Sequence, residues 1–176
     1  MGLEPLQQWI CDTCGELIER PKDGYVQWLV KENADEKIVK YAFHIVHHAP
    51  ASPRRTASGT RGDDCYHRDT REVHIGDLPV ELLIGADGLG HLLTLPYGGH
   101  AIEDMEELFA IIRRLHIPYF EEARLHFDKA IRDGIIESER RAHAYEQDTL
   151  LGILDRYAPV EEDTEADAED DTSSTT

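Results

Sequence analysis

Cys11-Asp-Thr-Cys14, followed directly by Gly15, is the stretch of this 176-residue chain best equipped for chemistry. Two thiols separated by two residues, with a glycine after them, make a turn that aims both sulfurs at one metal ion. The third cysteine lies in Cys65-Tyr66-His67, and His44-Ile45-Val46-His47-His48 stands between the two. Cys11, Cys14 and Cys65 with one histidine would fill a tetrahedral zinc site. His47 ranks first for the fourth position, because it ends an alternating run whose hairpin returns it toward the cysteine turn. His48 and His67 are the alternates. Cys65 and His67 are so close in sequence that both can ligate only if the backbone bends sharply between them. A Cys3His site leaves no open coordination position, so the Zn2+ is expected to be structural. One disulfide plus a free thiol is the competing use of three cysteines.

Charge bounds the partners. With 36 acidic against 18 basic residues the formal net charge is −18, and eight of the acids follow Pro159. The basic residues are 13 Arg and only 5 Lys. Acid-rich, lysine-poor chains are what a high-salt cytoplasm tends to select, and a GC-rich genome would also favour Arg. Such a field repels nucleic acid and anionic membrane, so neither is expected as a partner. No apolar run approaches the roughly 20 residues of a membrane span, and the N-terminus lacks a signal peptide's order. A cytoplasmic protein is expected, where reduced thiols favour metal over disulfide.

The elements that must position the ligands follow from periodicity. Tyr25–Val30 reads as a strand of aromatic and β-branched residues, and Lys37–His47 as a second. In the second, Tyr41, Phe43, Ile45 and His47 share one face, while Ala42, His44, Val46 and His48 share the other. Ala49–Asp64 is rich in Pro, Ser, Gly and Arg and reads as a long loop. From Asp77 the period becomes helical. A short helix is expected to start at Asp77, to break at Ala86-Asp87-Gly88, and to be followed by another over Leu89–Leu95. Ile102–Leu115 carries an apolar stripe (Ile102, Met105, Leu108, Phe109, Ile112, Leu115), with acids at its start and Arg113-Arg114 at its end. Pro118 opens a helix with Phe120, Ala123, Phe127, Ala130 and Ile131 inward, and a last helix runs over Ser138–Tyr157. Residues 159–176 are dominated by Glu, Asp, Ser and Thr and are expected to be disordered.

Other motifs carry less. Gly85-Ala86-Asp87-Gly88-Leu89-Gly90 lacks the Lys-Ser/Thr of a phosphate loop and misses the dinucleotide spacing. Glu121, Glu122 and His126 could share a helix side, but read as an exposed face. The order of His44-Ile45-Val46-His47 and Cys65-Tyr66-His67 after a cysteine pair loosely resembles the histidine-centred ββα-metal (HNH-like) nucleases, from Cys11 to His67. The Asp-His pair at the strand end, the Asn-bearing loop and a second Cys-x-x-Cys are missing. The Arg54, Arg55, Arg61, Arg68 and Arg71 loop is interrupted by acids and leaves little basic footprint for phosphate.

The sequence therefore implies an α+β protein. A zinc-tied, zinc-ribbon-like β-hairpin unit at 5–76 precedes a helical region at 77–158 and an acidic tail at 159–176. No convergent acid, base or nucleophile is legible, so the expected function is non-enzymatic: a zinc-stabilised interaction or regulatory module working through a protein partner. A divergent zinc-dependent nuclease or other nucleic-acid-processing protein is the alternative. The amphipathic helices suit either intramolecular packing or a homodimer formed through the C-terminal half.

Overall fold

The computed structural model describes residues 2–62, 65–66, 74–97, 100–136 and 141–158. The 159–176 tail, together with Arg68 and Arg71 of the basic loop, lies outside them. The fold is a mixed α+β arrangement with two sheets. The smaller is a hairpin of β1 (Trp9–Ile10) and β2 (Leu17–Ile18), antiparallel, with the cysteine turn as its tip. The larger is built on β3 (Gly24–Glu32) and β4 (Ile38–His47), the two aromatic and β-branched runs. Asn33 shapes the turn between them, its side-chain oxygen accepting from the backbone N–H groups of Asp35 and Lys37 at 3.0 Å. Strand β5 (His74–Pro79) adds antiparallel to β3 and β6 (Ala101–Ile102) parallel to β4, giving the order β5-β3-β4-β6.

The simple alternation expected along β4 is broken by a bulge. Gln27 pairs with His44 but Leu29 pairs with Tyr41, so β4 spends one extra residue there, and Ala42 takes a φ of 53°. The bulge moves Tyr41 to the face opposite Phe43. Lys31 lies over the Tyr41 ring at 4.3 Å, whereas Phe43 stacks on Trp28 at 5.8 Å. Past the bulge the register settles so that His47, the last residue of β4, faces Gly24 at the start of β3.

The helices pack in two groups. Helix α1 (Gly85–Thr94) and α2 (Met105–His116) bury Leu92, Leu108, Ile111 and Leu115 in one core with Trp9, Ile18, Val26, Trp28, Phe43 and Ile45. Asp104 caps α2 by accepting from the Glu106 N–H at 2.8 Å. Helix α3 (Phe120–Ala123), α4 (Phe127–Arg132) and α5 (Gln147–Tyr157) form a second core around Phe120, Ala123, Ala130, Leu150 and Ile153.

Several expectations need correction. The helix placed from Asp77 is instead strand β5 running into a 3-10 turn at Val80–Leu82; β5 is a sheet edge, where proline is tolerated. Ala86-Asp87-Gly88 does not interrupt a helix but lies inside α1. A Cβ on Gly88 would sit 2.1 Å from the Leu83 carbonyl carbon, so its bare backbone is what lets α1 press onto that turn. The helix opened by Pro118 is divided by a 3-10 turn at Arg124–His126. The last α-helix begins at Gln147, after a 3-10 stretch at Arg141–Tyr145. Met105, Phe109 and Ile131, expected inward, are 38%, 42% and 40% exposed, while Ile111 of α2 is buried. Strand β5 runs through positions 76 and 77, and the first core draws on residues from both sides of it.

Candidate metal centre

Four donors converge at one end of the larger sheet: Cys11, Cys14, His47 and Cys65, with their ligand atoms all within 4.8 Å of one another. They could hold a metal ion. Three separate pieces of chain deliver them, and each is fixed by backbone chemistry. The turn of the β1–β2 hairpin carries Cys11 and Cys14, closed by the Gly15 N–H on the Cys11 carbonyl at 2.9 Å and the Cys11 N–H on the Glu16 carbonyl at 3.0 Å. Gly15 takes a φ of 75°, the left-handed conformation that turns the chain back after the second sulfur. The end of β4 brings His47. The loop after β4 brings Cys65, whose carbonyl accepts from the Thr13 hydroxyl at 2.5 Å.

His47 is oriented as a ligand should be. Its Nε2 lies 3.0 Å from the Leu17 carbonyl, which can only accept, so Nε2 carries the proton and Nδ1 is left with its lone pair. That lone pair looks into the cluster, 3.4 Å from the Cys14 sulfur and 4.0 Å from the Cys65 sulfur. A tetrahedral ion with metal–sulfur bonds of about 2.3 Å and a metal–nitrogen bond of about 2.0 Å separates such atoms by about 3.5 Å. The observed spacings bracket that value. The Ser52 hydroxyl, 3.1 Å from the Cys65 sulfur, adds a further polar contact to the cluster.

The cluster is largely buried. Cys11, His47 and Cys65 are buried and Cys14 is half-buried, and all three cysteines are unpaired. Burial pushes the Cys14 thiol up to about 12 and raises that of Cys65 as well. Both shifts favour the protonated form of Cys14 and Cys65, so a cation must displace those protons to bind. A polar cavity of about 300 Å³ touches His47 from the side of Leu17, Arg20 and Asp23, and no cysteine is among its lining residues.

Of the alternate fourth ligands, His48 is turned away: its ring stacks on Tyr25 at 5.0 Å. His67 lies outside the described residues. His44 points its Nδ1 at the Ala42 carbonyl at 3.0 Å, on the other side of the bulge.

One group that the sequence reading misplaced supports the site from behind. Glu121 was expected on an exposed helix face, yet it is 5% exposed and sits between two guanidinium groups. Arg114, equally buried, donates to Glu121 at 2.7 and 3.0 Å, to the Asp12 carboxylate at 2.6 Å and to the Ile10 carbonyl at 2.9 Å. Arg124 donates to Glu121 at 2.8 and 2.9 Å. Glu121 also accepts the Ile10 N–H at 2.9 Å, and Asp12 accepts the Ile45 N–H at 2.7 Å. Asp12 lies between the two cysteines, so α2 and α3 grip the cysteine turn through a buried ionic network. Burial works against the Glu121 carboxylate, but the two arginines prevail and hold it below its ordinary range. The sequence offered only a faint signal, a carboxylate in the cysteine turn and an Arg and a Glu seven residues apart. Glu122 and His126, paired with it in the sequence reading, go elsewhere: Glu122 accepts the Leu3 N–H at 3.2 Å and His126 lies against Tyr157.

Comparison with protein-family models, curated proteins and solved structures gives no match. Chemistry at the site must be argued from its own geometry. Among the described residues, no helix is long and apolar enough to cross a membrane.

Proposed function

We propose that Cys11, Cys14, His47 and Cys65 bind one structural Zn2+ that closes a ribbon-like unit. On this reading the protein is a non-enzymatic interaction or regulatory module that works through protein contacts in a reducing cytoplasm. The observation that carries it is the commitment of all four donors: three sulfurs and one correctly oriented imidazole lie within 4.8 Å, which satisfies a tetrahedral ion with nothing left over. Zinc is favoured over other divalent ions because three thiolates and one imidazole at tetrahedral spacing suit it best. The ion would replace core that a two-residue hairpin cannot supply for itself.

The nuclease alternative asks more of the same residues. A ββα-metal nuclease needs a histidine free to activate water, and here both ring nitrogens of His47 are engaged, one with Leu17 and one with the sulfurs. A net charge of −18 also opposes phosphate binding. For the partner, the exposed Leu125, Ile131 and Leu151 of the C-terminal helices support a contact there, including a homodimer.

The test is elemental analysis of the purified chain, joined to nuclease assays on plasmid with Mg2+, Mn2+ or Zn2+. One zinc per chain with intact plasmid is expected. Cleavage that disappears in His47→Ala would replace this reading with the nuclease one.

A further inference from the structure

The four donors are unequal in one respect that a purely structural role does not require: Cys14 is the least buried of them. Cys11 and Cys65 are 1% and 0% exposed and His47 is 3% exposed, whereas Cys14 is half-buried between exposed Thr13 and Gly15. Gly15 adds no cover, since a Cβ there would meet nothing within 4 Å. Cys14 is thus the least covered residue of the cluster, with two more sulfurs within 4.8 Å of its own.

We propose that the cluster is also an oxidation site, at which a peroxide-class oxidant converts Cys11 and Cys14 to a disulfide and expels the metal. This rests on the zinc reading above and assigns a regulation to the same site. In the first step the Cys14 thiolate attacks one oxygen of hydrogen peroxide. The O–O bond breaks, the sulfur gives up two electrons, and a sulfenic acid and hydroxide result. In the second step the Cys11 thiolate attacks the Cys14 sulfur, the S–O bond breaks and a second hydroxide leaves. Two thiolates and one peroxide yield one disulfide and two hydroxides, which take two protons from the buffer and become water. The Zn2+ then keeps only Cys65 and His47 and departs.

Cys11 is the resolving sulfur because the two share one short turn. The Gly15-to-Cys11 hydrogen bond already folds that turn, so closing to the S–S bond length of about 2.05 Å needs little beyond side-chain rotation. Cys65 comes from a separate loop, and its sulfur also contacts the Ser52 hydroxyl at 3.1 Å.

The experiment uses the full chain, first assayed for zinc, then treated with one equivalent of hydrogen peroxide while a chromophoric indicator reports free Zn2+. Absence of zinc before oxidant defeats the zinc reading itself. With zinc present, the expected result is one Zn2+ released per disulfide, a tryptic peptide 1–22 lighter by two hydrogens, and Cys65 still open to alkylation once the chain is denatured. Retention of zinc, or a disulfide that includes Cys65, overturns the proposal. Two variants keep four donors and so keep the fold testable. Cys65→His should release zinc as the parent does, and Cys14→His should release it at least tenfold more slowly. The opposite order would place the reactive sulfur elsewhere.

Discussion

Replacing Arg114 by methionine should cost this protein more stability than any change at its other ion pairs among the described residues. The guanidinium is 5% exposed and makes four hydrogen bonds: two to Glu121, one to Asp12 and one to the Ile10 carbonyl. Removing one partner of a buried pair costs about 3–5 kcal/mol, because the charge left behind has lost both water and counter-ion. Here Arg124 and the Ile10 N–H remain on Glu121, and the Ile45 N–H remains on Asp12, which places the loss near the lower end, at about 3 kcal/mol. For a chain of this size that corresponds to a fall in Tm of about 6–12 °C. Urea and thermal unfolding of the zinc-loaded protein measure it. The double variant Arg114→Met/Glu121→Leu removes both buried charges and should regain much of the loss. A loss for Arg114→Met under about 1 kcal/mol, or a double variant weaker than the single, would refute the reasoning that α2 and α3 hold the metal turn electrostatically.

Three further outcomes follow. Glu121 has a carboxylate held below its ordinary 4.5, so its contribution is complete above that pH and is lost as pH falls through the lower folded value; acid titration should show stability dropping below about 4.5, with a shallower slope in Glu121→Gln. His48→Ala should leave zinc content at one per chain whereas His47→Ala should lower it, as elemental analysis after dialysis against a weak chelator will show; equal effects would mean that the fourth ligand has been misassigned. Gly88→Ala forces a methyl into the Leu83 backbone at 2.1 Å and should destabilise by about 1–3 kcal/mol, read from the urea midpoint, with zinc content unchanged.

What could be read from the sequence was local. The Cys11–Cys14 spacing and the alternating run that ends at His47 point to three of the four side chains that lie together, because short-range backbone geometry carries both signals, and Cys65 is the one cysteine left. The edges of the same sheet were not legible. Strand β5 owes its conformation to pairing with β3, and Asp77-Leu78-Pro79 by itself looks like a helix start. The bulge at Ala42 is equally a product of pairing, since nothing in Tyr41-Ala42-Phe43 announces an extra residue. Glu121 was misread because an isolated helix gives a charged residue no reason to face inward. The reason lies about a hundred positions away, in the Ile10 backbone and the Asp12 carboxylate. Long-range polar partners leave no periodicity, and so the support behind the metal turn was invisible until the chain was folded.

The central claim is a single ion fully enclosed by this chain's own side chains, and X-ray absorption at the zinc edge tests it most directly. The account predicts a first shell of three sulfurs at about 2.3 Å and one nitrogen at about 2.0–2.1 Å, unchanged on adding a small anionic ligand. A shell with fewer than three sulfurs, or with an exchangeable oxygen, would contradict it.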